Sequence, residues 1–276
     1  MWRLTASDVL GAHPSTQSFL SGWLAPTDAY TQSGTPHRGL AEAGAKKANV
    51  PELQKILVKH HASKDKLDQA QRLKAILSRR GFAKTAKGLR LFPKNENTQK
   101  GNLAEVFLSE YLDLTGKAKT LVYRLRFNTN VDQSMKGDDV LAFNLDGVVP
   151  EIVVRETKFR ATPSKAVVQE IYEALETSHK AGVPMSLQFV ADRLYEANSP
   201  LAAKVLDCAV LLMQRKAIID FAGLLLSDET ASACVNDHSP ACKYRGALIS
   251  VSISNPDNLV KACFKGIEKT YGFDPG

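Results

Sequence analysis

The run Val148–Phe159 is apolar for most of its length yet closes on Glu156-Thr157-Lys158, so two charged side chains fall on a segment that otherwise reads as a buried strand. Charges are costly in such a place unless they serve something. Glu156-x-Lys158 is also the one Asp/Glu-x-Lys in the 276 residues. Just upstream lies Asp139–Leu145, and Asp146-Gly147 between two apolar runs is a strong hairpin signal. If Asp146-Gly147 is a two-residue turn, residue 145 pairs with 148 and Asp139 with Val154. Side chains alternate along strands, so Asp139, Glu156 and Lys158 share one face, and Asp138 falls opposite Arg155 as an ion pair. Pro150 is the residue able to introduce a bulge and flip that parity.

This trio suits phosphodiester cleavage. The reaction needs a divalent cation to polarise a phosphoryl oxygen and make a nucleophile available near neutral pH. Mg2+ (or Mn2+) takes oxygen ligands and retains waters, so two carboxylates suffice to hold it. A neighbouring lysine orients the attacking water and supports developing negative charge. Asp139 and Glu156 are therefore candidate metal ligands and Lys158 the catalytic cation. Glu105, in Lys100-Gly101-Asn102-Leu103-Ala104-Glu105, sits in the first turn of a helix expected over 102–114 and borders its apolar stripe of Leu103, Val106, Phe107 and Tyr111. It is a further candidate ligand, or equally a carboxylate favoured by the helix N-terminus. Lys100, Arg160, Lys165 and Gln169 flank these elements and are the candidate DNA contacts.

Charge is unevenly placed. Residues 46–100 hold fifteen Lys or Arg against four acids, a net +11, while the whole chain is +7 and the remainder therefore −4. A concentrated positive segment attracts polyanions by counterion release, although a solvated helix face gives the same pattern. A hydrophobic content of 44% and a charged content of 24% are those of an ordinary soluble protein. The N-terminus lacks the order of a secretory signal, no apolar run reaches membrane-spanning length, and four cysteines are too few for a disulfide scaffold; a cytoplasmic protein is expected. Cys234, His238 and Cys242, completed by Asp237 or Cys263, are a candidate zinc set. The spacing matches no common finger, so loop residues with a buried cysteine are the default. His60-His61 is expected to face solvent or phosphate. No Walker loop is present, so ATP hydrolysis would come from a partner.

Residues 1–45 read as irregular, with room for a short strand or helix. A long helix is expected from Pro51 to about Arg80, ended by Gly81, then a basic connection over 84–100. Strands are expected at Leu121–Phe127, Asp139–Leu145, Val148–Phe159, Met185–Ala191 and Ala247–Ser254. Helices are expected at Ser164–Ala181, Leu201–Leu226 and Asn258–Tyr271. Helices alternating with central strands indicate an α/β or α+β layered domain.

Taken together, Lys100–Glu105, Lys136-Gly137-Asp138-Asp139-Val140-Leu141 and Glu156-Thr157-Lys158-Phe159 resemble the PD-(D/E)xK nuclease superfamily. More narrowly, the chain resembles the HamA family, the small subunit of Hachiman antiphage systems, with the AbpA proteins alongside, over roughly residues 85–270. The resemblance implies a restriction-endonuclease-like core over 96–276, a central mixed sheet flanked by helices, preceded by an irregular and basic helical region over 1–95. It implies Glu105 on the first core helix, Asp139 as metal ligand, and Glu156 with Lys158 as the catalytic pair. It further implies a DNA nuclease working with a superfamily 2 helicase, HamB in Hachiman. The superfamily's proline before the aspartate is absent, and the doubled Asp138-Asp139 leaves the alignment open by one residue. A non-cleaving DNA-binding subunit of a helicase and an RNA nuclease are the competing readings.

Overall fold

The computed structural model describes residues 3–14, 18, 20, 22–44, 48–133 and 141–270. Six strands form one mixed sheet: β1 (Leu24–Tyr30), β2 (Pro36–Glu42), β3 (Ala142–Asn144), β4 (Glu151–Phe159), β5 (Ile218–Ser227) and β6 (Gly246–Ser252), in the order β1-β2-β6-β5-β4-β3. The central β2, β6, β5 and β4 are parallel to one another, and each edge strand is antiparallel to its neighbour. Helices cover both faces, the mixed α/β arrangement expected.

One face carries α1 (Ala6–Leu10), α2 (Val50–His61), α5 (Glu96–Thr115) and α10 (Pro256–Phe264). Leu10, Leu57, Leu103, Phe107 and Val260 pack there against Val153, Leu224 and Ile249. The other face carries α6 (Lys165–Ala181), α7 (Ser186–Glu196), α8 (Leu201–Met213) and α9 (Ala231–His238), where Ile171, Leu187, Val205 and Val235 pack against Ile152, Val154 and Leu225. The helix α3 (Lys64–Arg79) and the short helices α4 (Ala83–Gly88) and α11 (Ile267–Thr270) complete the described helices.

Several expectations are corrected. The supposedly irregular N-terminus contributes α1 and the β1–β2 hairpin, and β2 pairs with β6 inside the sheet, which therefore spans the boundary expected at residue 95. The hairpin is held down by Arg38, 1% exposed, which donates to Asp28, Gly11 O, Tyr111 Oη and Ser7 Oγ. The long helix is two, because Ser63 adopts an extended backbone and its hydroxyl accepts from Lys66 N, starting α3 afresh. Met185–Ala191 is the start of α7, not a strand. Its buried Leu187, Val190, Ala191 and Leu194 follow the helical period only when the window extends past residue 191. Leu201–Leu226 is helix only to Met213. Arg215, with φ +57, ends it, and the apolar run beyond is β5, buried along nearly its whole length and hence without periodicity. Leu121–Phe127 ends in a 3-10 turn at Arg124–Phe127, while Lys119 bridges to Phe143 at the sheet edge.

Candidate active site

Ile152 and Val154 of β4 pack under α6, Val153 and Phe159 under α5, so the strand alternates as expected and Glu156 and Lys158 continue the row of Ile152 and Val154. The hairpin register differs from that of a two-residue turn at Asp146-Gly147. Ala142 pairs with Val153, Phe143 with Ile152 and Asn144 with Glu151, so the connection runs over 145–150 rather than two residues. Pro150 has no N–H for the ladder, which starts at Glu151. The displacement is two residues, and an even displacement leaves every side chain on its face. Asp139 and Asp138 both lie outside the described residues. Arg155, the expected partner of Asp138, is buried and donates to Thr120 Oγ1 at 3.3 Å and Leu141 O at 3.2 Å.

A cleft of about 710 Å³ opens where the first half of α5, the 3-10 turn and the last residues of β4 meet. Its walls bring together Lys100, Glu105, Arg124, Glu156, Lys158 and Arg160, with Asn97, Gly101, Asn102 and Thr157 between them. Glu156 Oε1 lies 2.6 Å from Lys158 Nζ, the two side chains 13% and 29% exposed. Across the cleft Arg124 Nη2 donates to Glu105 Oε2 at 2.9 Å, and both residues are buried. Four cations thus stand against two carboxylates, an excess suited to an anionic ligand. The two carboxylates supply the hard oxygen donors that Mg2+ or Mn2+ prefers. Among the described residues no group of three or more His, Cys, Asp or Glu converges to hold a metal.

Lys100 and Arg160 are held from outside the cleft, Lys100 Nζ by Asp257 at 2.9 Å and Arg160 Nη2 by Glu170 at 2.9 Å. Lys165 and Gln169 stand exposed on the first turns of α6 and are not part of the cleft wall. Arg124 was not anticipated. Read as part of a strand, it fell among alternating residues with no tie to Glu105, and only the 3-10 turn carries it inward.

The wall of α5 is braced by a pair of histidines expected at the surface and found buried. His61 Nδ1 donates to Leu57 O at 2.7 Å, leaving Nε2 to accept from Asn102 Nδ2 at 2.9 Å. Burial depresses its pKa to about 4, which keeps the acceptor nitrogen unprotonated. His60 is likewise buried and depressed, 2.7 Å from Glu110 Oε1. Charged groups lie in reach of the pair because α2 packs against α5, and a polar residue at a helix crossing is invisible to hydropathy. Cys234, His238 and Cys242 do not assemble a metal site. The Cys242 thiol donates to Tyr244 O at 3.2 Å, Asp237 accepts from Gln32 Nε2, and Cys263 is buried against the opposite face of the sheet. Burial raises the Cys234 and Cys242 thiols above their ordinary range.

Comparison with known proteins finds relatives over most of the chain. The HamA family model matches residues 18–267. Hachiman protein HamA of Bacillus cereus is 35% identical over 259 residues, which is 93% of each chain. The chain belongs to the HamA family.

Proposed function

We propose that this chain is a divalent-metal-dependent DNA nuclease of a Hachiman-type antiphage defence system, acting in the cytoplasm with a superfamily 2 helicase partner of the HamB kind. The observation that carries the reading is the 2.6 Å Glu156–Lys158 pair inside a cation-rich cleft with Glu105 in its opposite wall. The family membership supports the defence role, since a relative is named a Hachiman protein.

Glu156 and Glu105 are the described side chains that would hold Mg2+ or Mn2+, and Asp139 is proposed as the third. It lies three residues before Ala142, and three residues reach at most about 10 Å. The bound cation supplies polarisation of the scissile phosphoryl group. Lys158 positions a water by hydrogen bonding and offsets the charge that develops on the phosphate. Lys100 and Arg160 hold flanking phosphates, with Asp257 and Glu170 bonded to part of their charged ends, and Lys165 and Gln169 extend that contact along α6. In a relaxed-plasmid assay with Mg2+, the chain with its helicase should nick or degrade DNA, and Glu156→Gln should remove that activity while leaving partner binding intact. Cleavage by Glu156→Gln at the wild-type rate would end the proposal.

A non-cleaving DNA-binding subunit is the competing reading, favoured by the fact that each described carboxylate of the cleft already holds a cation. Mn2+ titration separates the two, because the nuclease binds Mn2+ in a Glu156-dependent way and the accessory subunit does not. Parallel digestion of RNA tests the substrate class.

A further inference from the structure

The basic segment is divided by the fold into two populations. Lys59 pairs with Glu110, Arg90 with Asp132 and Lys100 with Asp257, so these cations serve the body of the protein. Lys66 likewise donates to Arg126 O, but among the described residues no ion pair holds Arg72, Arg79, Arg80, Lys84 or Lys87. Between Asp68 and Glu96 the chain has no acidic residue and eight Lys or Arg. Lys74 is the only buried residue of α3, and Leu67 and Ala70 are its part-buried attachment to the core.

Arg72, Ile76 and Arg79 follow one another at i, i+4 and i+7 and so share one helix face. All three are exposed, Ile76 at 55%. Gly81, at φ +84, turns the chain, and Phe82 N donates to Leu77 O at 2.9 Å. This leaves the Phe82 ring at the turn 58% exposed between Arg80 and Lys84, both of them exposed. A helix with so little buried surface gains little from packing, and its own propensity makes it marginal. Cations spaced along a face track a phosphate backbone, and an aromatic ring among them offers a platform for an unpaired base.

We infer that the α3–α4 arm is a second nucleic-acid surface, holding single-stranded DNA with Arg72, Arg79, Arg80 and Lys84 on phosphates and Phe82 against a base. The inference takes its ligand class from the nuclease reading, but the arm's binding does not depend on cleavage. It gives the chain a grip on a strand beyond the six charged groups of the cleft.

Fluorescence anisotropy tests it, using the full chain in EDTA and a labelled single-stranded oligonucleotide of about 20 nucleotides. Arg79→Glu with Lys84→Glu should weaken binding about tenfold or more and lower the log–log salt slope by about 1.4. Phe82→Ala should weaken the single strand roughly fivefold and leave a duplex of the same length unchanged. The milder Lys84→Gln with Lys87→Gln, checked by circular dichroism and melting, guards against misfolding and should show a smaller loss of the same kind. Lys216→Glu, an exposed cation away from the arm, should leave affinity unaltered. Wild-type affinity in the folded arm variants overturns the inference, as does an equal loss with Lys216→Glu, which would mark diffuse net charge. Retained DNA affinity with lost association to a protein chain also overturns it and assigns the arm to protein docking. Because metal is absent, failure of the nuclease reading through an active Glu156→Gln leaves these outcomes unchanged.

Discussion

Glu156 is paired across the β4–β5 ladder with Gly223, and the absence of a side chain at Gly223 is what lets α6 settle on the sheet at that point. A Cβ built there would lie 2.6 Å from both Ile171 Cγ2 and Leu248 Cδ2. Gly223→Ala should therefore lift α6, destabilising the protein by about 1–3 kcal/mol and disturbing the strand that carries Glu156. Urea denaturation measures the first effect. Combining Gly223→Ala with Ile171→Ala removes one of the two closest contacts, and the double variant should regain part of the cleavage rate lost by Gly223→Ala. No difference between the two in cleavage would show that α6 packing does not position Glu156.

Glu156 and Lys158 should act as a unit. Glu156→Gln and Lys158→Ala are each expected to lower cleavage by about a hundredfold or more, and the double variant to be no slower than the worse single one. Single-turnover cleavage of a labelled duplex gives all three values. Multiplicative losses would mean that the 2.6 Å contact has no shared function.

Buried histidines set the acid limb of stability. Burial pushes His61 and His37 down to about 4, from an ordinary value near 6.5. Between those values the unfolded chain binds protons that the folded chain refuses, so stability is complete above about pH 6.5 and is lost as pH falls toward 4. Each group contributes roughly 3 kcal/mol at most. Denaturant midpoints should fall steadily from pH 7 to pH 4.5, and NMR titration should show two histidines still neutral at pH 5.5. Ordinary titration of all six histidines near 6.5 would contradict the burial of these two.

Arg38 should matter far more than a surface arginine. Its guanidinium is buried and meets Asp28 twice at 2.6 Å, besides Gly11 O, Tyr111 and Ser7. Arg38→Gln leaves the buried acceptors without a charged donor while Asp28, 39% exposed, regains water, and should destabilise the fold by about 1–3 kcal/mol. Thermal melting measures it, and the N-terminal hairpin should become the first segment cut by protease.

The strand that carries Glu156 and Lys158 was legible in the sequence because it combined three local signals: an apolar run, a turn dipeptide ahead of it, and charges at alternate positions near its end. Alternation is a covalent consequence of strand geometry, so the shared face of Glu156 and Lys158 survived a two-residue error in hairpin register. Glu105 was legible for the same kind of reason, being one residue off the apolar stripe of a helix. Tertiary structure alone decided the rest. Arg124 enters the cleft through a 3-10 turn, Asp257 reaches Lys100 from a helix far along the chain, and the N-terminal hairpin joins the sheet through β6. β5 was unreadable because a strand buried on both faces has the same pattern as a buried helix. Local periodicity fixes which way a side chain points from its own element; which elements meet is set by burial and ion pairing between residues far apart in the chain, and no window of sequence contains both partners.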